Sequence, residues 1–245
     1  MSARRLTRIA GTTLLVAGIA VLAWVIVVWR WQDPFTALYT HWKQHQLAQS
    51  YEKRFAAYHP AKLVRSQVSV ATSRRTIERE ARRYRLRSER GQAIGRILVP
   101  RLGLNMVLVN GTDHDSLTKG PGRDRRTYMP GEGQLVYIAG HRTTYLAPFA
   151  HIERMRSGDP VTLEVPYGTF RYRVFRHEIV DANDLAVLRS HGRDVVALQA
   201  CHPRFFATER YIAWARLVRV EPRGGSAFTP PSNALAAAPL AAQQG

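Results

Sequence analysis

Cysteine is almost absent from this 245-residue chain; Cys201 is the only one. No intramolecular disulfide can form, and no Cys/His cluster stands at zinc-ligand spacing. Acidic loops of the calcium-binding kind are also missing, so neither a metal nor a cofactor is expected. Acidic residues are scarce, 18 Asp and Glu against 36 Lys and Arg, and lysine contributes only 4 of those cations. A formal charge of +18 suits an anionic partner, nucleic acid or an anionic surface. In an exported protein a lone thiol is a candidate for reactivity; its plainer alternative is a small buried hydrophobe.

What is present begins with Ile9 to Trp29, 21 residues without a charge. As a helix at about 1.5 Å per residue, this run spans roughly 30 Å of hydrocarbon. Arg4, Arg5 and Arg8 precede it, which predicts a cytoplasmic N-terminus and an external remainder. A cleaved signal peptide would carry a shorter apolar stretch and a polar cleavage region. Residues 30–91 read as a helical stalk, with Phe35, Leu38, Tyr39 and Trp42 at helical spacing. Arg74 to Arg90 holds eight arginines and three glutamates, the composition of a solvated helical face. Lying outside the cell, that cluster fits lipid headgroups or wall polymers and argues against nucleic acid.

From Gly91 the pattern changes to short strands. Ile94–Val99, Leu104–Val109 and Leu135–Ala139 are apolar runs, and Asp113–Lys119 reads as one helical turn. Val161, Leu163 and Val165 alternate with polar residues, as do Phe170, Tyr172 and Val174. Tyr167-Gly168 between them reads as a hairpin turn, and the whole suggests a small, closed or nearly closed β-barrel. The expected organisation is a cytoplasmic segment over 1–8, an anchor over 9–29, the stalk over 30–91, a catalytic domain over 92–222 and a disordered tail over 223–245.

The chemistry concentrates between Val195 and Leu217. An apolar strand runs into Cys201; nine residues later Arg210 opens a second strand, and His141 follows the strand 135–139. A thiolate is the competent nucleophile, and a neighbouring imidazole or guanidinium favours it. Histidine can protonate a leaving amine and later deprotonate an incoming one. Arginine keeps its proton and suits hydrogen bonding to an oxyanion. Cys201, His141 and Arg210 therefore read as a thiol acyl-transfer site. His202 is a rival to His141, but neighbouring strand residues point to opposite faces. Arg204 and Arg216 compete with Arg210, while Phe205, Phe206 and Trp214 read as packing residues.

Residues 94–220 resemble a sortase, and specifically the class E type of actinobacteria. The matching stretches are IGRILVPRLGLNMVLVNGT, LTKGPG, MPGEGQLVYIAGHRTTYLAPF, RMRSGDP, LQACHP and ERYIAWARL. The resemblance implies an eight-stranded barrel and a membrane-anchored cell-surface cysteine transpeptidase. It places the nucleophile on Cys201, the histidine on His141 and the arginine on Arg210. It implies as partners secreted proteins with a C-terminal LAxTG- or LPxTG-like sorting motif, and an amine of peptidoglycan or a pilin as acceptor. Two features depart from the family pattern: Ala197-Leu198-Gln199-Ala200 replaces Thr-Leu-x-Thr before the cysteine, and Arg123 stands where many relatives carry histidine. Two other classes compete. One is a non-catalytic wall-binding protein; the other is an L,D-transpeptidase, whose SHGC signature is approached by Ser190-His191-Gly192-Arg193.

Overall fold

A computed structural model describes residues 3–31, 34–59 and 69–230. Helix α1 (Ala3–Trp31) contains the span Arg4–Val27, long and apolar enough to cross a membrane, with its apolar side chains exposed. Helices α2 (Pro34–Ala57) and α3 (Val70–Arg87) follow. Eight strands then close a barrel: β1 (Ala93–Val99), β2 (Leu104–Asn110), β3 (Gly122–Arg123), β4 (Leu135–Ala139), β5 (Pro160–Val165), β6 (Gly168–Asp181), β7 (Val195–His202) and β8 (Glu209–Pro222). Their order around the barrel is β1-β2-β3-β4-β7-β8-β6-β5. The pairs β2–β3 and β4–β7 are parallel and the rest antiparallel.

The alternating residues of the sequence fill this barrel. Val161, Leu163, Phe170, Tyr172 and Val174 face the interior with Ile97, Ile138, Leu198 and Ala213. The helical turn expected near 113–119 is α4 (His114–Leu117), capped by the Asp113 carboxylate, which accepts from the Ser116 amide. The β5–β6 turn is one residue earlier than expected. Gly168 already pairs with Val165, and a side chain there would collide with the Glu221 carbonyl at 2.8 Å. Arg123 is fully buried and clasps Asn110 Oδ1 and the Thr127 carbonyl. Burial, with Arg85 nearby, pulls its pKa down to about 10.

The stalk reading is corrected at both helices. On α3 the arginines line one face only. Ile77, Ala81 and Tyr84, spaced by four and three, belong to the barrel core, and Arg85 pairs with buried Glu132 at 2.8 Å. On α2 the apolar stripe Leu38, Tyr39 and Trp42 is exposed, while Thr40, Gln44 and Tyr51 face the barrel. The physical reason is backbone satisfaction at the barrel's side. Gln44 accepts from the Val107 amide and donates to the Val107 and Lys119 carbonyls, and Thr40 donates to the Thr118 carbonyl. The tail reading is corrected over residues 223–230. Phe228 pairs with Val220 and packs against the core; the disorder expected beyond it falls at 231–245, outside the described residues.

Candidate active site

Parallel pairing of β4 and β7 sets Ala139 opposite Gln199, and the Gly140 amide donates to the Gln199 carbonyl at 3.0 Å. His141 follows Gly140 in the loop that leaves β4, beside the strand that ends in Cys201. Antiparallel pairing of β7 and β8 sets Cys201 directly opposite Arg210. The side-chain period of two fixes the face. Val196, Leu198 and Ala200 point into the barrel, whereas Leu135, Tyr137, Ala197 and Ile212 form a separate cluster outside it. Cys201 and Arg210 continue the outer set by the same period, at the end of the barrel where β7 finishes and β8 begins. Cys201 is free and half-buried.

Each side chain is held by its own local structure. A Cβ on Gly140 would meet the Phe149 ring at 2.6 Å, so glycine lets the chain turn beneath His141. The Phe149 amide donates to the His141 carbonyl at 3.1 Å and pins the loop. The next stretch is strained: Tyr145, Leu146 and Ala147 have φ of 52°, 60° and 37°, left-handed values that non-glycine residues avoid. The Tyr145 ring centroid lies 4.9 Å from that of His141, and the Tyr145 amide donates to Thr36 Oγ1 of α2 at 3.1 Å. Burial, then the charge of His114, holds His141 below the ordinary histidine pKa of 6.5. Its Nε2 is buried with no hydrogen-bond partner among the described residues. Arg210 Nη1 donates to the Ala207 and Glu209 carbonyls at 2.8 and 2.9 Å, so the guanidinium is fixed by the turn before its own strand.

The rivals take other places. His202 points away from the Cys201 face, and its Nδ1 lies 2.9 Å from Arg142 Nη1. Arg216 sits opposite Val195, at the far end of β7. Ser190-His191-Gly192 precedes β7, so the whole strand separates that triplet from Cys201. Phe205 and Phe206 are not packing residues: they are 56% and 78% exposed in the β7–β8 loop beside the site.

Sequence reasoning missed Arg142. Its side chain is only 6% exposed, and it joins both halves of the site: Nη1 donates to the Cys201 carbonyl at 3.0 Å and Nη2 to Glu153 Oε2 at 2.8 Å. It thereby ties the loop carrying His141 to the strand end carrying Cys201. Its one sequence signal is adjacency to His141, which carries little weight among 32 arginines. Arg142→Gln is expected to destabilise the fold by about 1–3 kcal/mol by stranding the Cys201 carbonyl and Glu153. Urea unfolding of the full chain in detergent micelles measures it, and an unchanged midpoint would show that the brace carries no energy.

Comparison with known proteins agrees with this fold. Residues 97–218 match the model of the Sortase domain. Sortase D of Bacillus subtilis is 32% identical over 134 residues, covering 53% of this chain and 66% of that protein. Sortase SrtE1 of Streptomyces coelicolor is 29% identical over 96 residues, covering 35% and 27%. The chain therefore spans about two thirds of the first relative's length and about a quarter of the second's. Among solved structures, the Clostridium perfringens sortase D5 transpeptidase superposes with a TM-score of 0.56 at 21% identity, covering 72% of this chain and 98% of that one. The SrtA sortase from Actinomyces oris gives 0.51 at 26% identity, covering 56% and 86%. The barrel, its strand-end thiol and these matches together place the chain in the sortase family.

Proposed function

We propose that the chain is a membrane-anchored cysteine transpeptidase acting on the sorting motif of secreted proteins. The observation that supports this reading is the pairing of Cys201 opposite Arg210 at the end of β7, with His141 in the loop that leaves the adjacent strand β4. In the proposed cycle the Cys201 sulfur attacks the scissile carbonyl and a C–S bond forms, the thiol proton passing to His141. The C–N bond breaks, and His141 gives the leaving amine its proton. An amine of the wall or a pilin then attacks the thioester, losing a proton to His141, and the thiolate departs. Arg210, immobilised by the Ala207 and Glu209 carbonyls, steadies the developing oxyanion. Helix α1 is the anchor, with its N-terminus cytoplasmic.

The depressed pKa of His141 gives a pH prediction. A histidine held neutral in the fold binds fewer protons than the unfolded chain once the pH drops below about 6.5, so its contribution to stability is present above that pH and lost on acidification. The limb of the kcat/KM profile governed by His141 is expected on the acid side of that value. His114→Gln removes one of the two causes of depression and is expected to move the limb to higher pH. A limb that stays in place would show that His114 does not act on His141.

The finer reading is a class E-like enzyme that prefers alanine to proline at the second motif position. Proline lacks the N–H, so a groove acceptor that bonds to it loses its partner, at about 1–3 kcal/mol. That corresponds to roughly a tenfold to hundredfold higher kcat/KM for LAxTG than LPxTG peptides. Steady-state cleavage of both labelled peptides by the full chain in micelles tests it. Equal rates, or faster LPxTG cleavage, would overturn the class E reading.

A further inference from the structure

The active-site end of the barrel carries apolar side chains that the proposed chemistry does not use. Phe205 and Phe206 stand adjacent and exposed in the loop between Cys201 and Arg210. Two aromatic rings held out in water at a barrel end call for an occupant. The position of α1 relative to that end says which. Thr36, whose hydroxyl accepts from the Tyr145 amide in the His141 loop, lies five residues after Trp31, the last residue of α1. Five residues reach at most about 18 Å. The His141 loop is therefore tied close to the outer end of the membrane-spanning helix. Leu38, Tyr39 and Trp42, exposed on the first turns of α2, suit the same interfacial depth.

The opposite end of the barrel has the opposite character. Helix α2 runs along the barrel from the His141 loop to the other end, where the Tyr58 ring packs 6.0 Å from Tyr84 and 6.5 Å from Tyr167. Helix α3 closes that end, with Ile77 and Tyr84 inward and Arg75, Arg79, Arg82, Arg83 and Arg87 exposed. The molecule is thus polarised, with exposed aromatic rings beside the site, Arg204 lying 5.7 Å from the Phe205 ring, and an arginine-rich helix away from it.

We infer that Phe205 and Phe206 form a membrane-docking surface, inserting into the lipid interface so that the barrel end carrying Cys201 faces the bilayer and the α3 arginines face away from it. The inference rests on α1 spanning the membrane and on the proposed activity. Its mechanism is hydrophobic: each buried ring removes apolar surface from water, and the α1 tether lowers the entropic cost of placing the rings there. This assigns the arginine face of α3 away from lipid headgroups.

Two measurements on the full chain in lipid nanodiscs test it. In a Cys201→Ala background, a fluorophore on Phe206→Cys is expected to be quenched by doxyl-labelled lipid and shielded from aqueous iodide. The same label on Arg79→Cys is expected to show the reverse. A label at 206 open to iodide, or one at 79 quenched by lipid, would overturn the orientation. Separately, Phe205→Ser/Phe206→Ser is expected to lower turnover of a membrane-anchored sorting substrate about tenfold while leaving cleavage of a soluble peptide within about twofold. Equal loss with both substrates would make the two rings substrate contacts, and no loss with either would leave them without a docking role; both results contradict the inference. Absence of soluble-peptide cleavage by the wild-type chain would count instead against the proposed activity.

Discussion

Replacing Cys201 with alanine is expected to lower sorting-peptide cleavage by on the order of a thousandfold or more, to background, because no other thiol exists to carry the acyl group. The fold should survive the change, since Cys201 is half-buried on the outer face and contributes nothing to the barrel core. Its two partners should cost less. His141→Ala removes proton transfer and is expected to cost about 10² to 10⁴-fold. Arg210→Gln removes a fixed cation from the oxyanion and is expected to cost about 10² to 10³-fold. Because the three act as one unit, their losses should not add: the triple variant is expected to be no slower than Cys201→Ala alone. Peptide cleavage by purified full-length variants measures all of this. Additive losses would indicate that the residues serve separate steps.

Deleting residues 1–90 is expected to abolish folding of the barrel, whereas a chain starting at Pro34 should retain it. The boundary read from sequence at Gly91 cuts through a core. Ile77, Ala81 and Tyr84 of α3 and Tyr51 of α2 are buried against the strands. Losing Ile77 and the two tyrosines forfeits roughly 5–9 kcal/mol at about 1.5–3 kcal/mol per side chain, comparable to the whole stability of a typical domain. The deletion also strips Glu132 of Arg85 and leaves the Val107 and Lys119 backbone groups without Gln44. Thermal unfolding followed by near-ultraviolet circular dichroism separates the two chains. A cooperative transition in the chain from Gly91, at the midpoint of the longer one, would refute the part assigned to α2 and α3.

Much of the barrel was legible because buried strands obey a period of two. Val161, Leu163 and Val165, or Phe170, Tyr172 and Val174, announce their inward face whatever lies around them. The thiol was legible because it is single and ends an apolar run. What stayed hidden depends on tertiary partners. The eight arginines between 74 and 90 masked the three residues that make α3 part of the core. On α2 the apolar stripe is the exposed one, because the barrel offers it unpaired backbone groups, and polar Thr40 and Gln44 answer them. Arg142 acquires its meaning from the Cys201 carbonyl, 59 residues away, and no local pattern marks that contact. Phe205 and Phe206 read as packing by composition, yet the loop presents them outward.

The central claim is that Cys201 carries the acyl group. Intact-mass analysis of the full chain quenched in acid during turnover of a sorting peptide tests it most directly. The account predicts a mass increase equal to the N-terminal part of the peptide, mapped by digestion to Cys201 and discharged by added hydroxylamine. Turnover with no adduct at Cys201, or with an adduct on another residue, would contradict it.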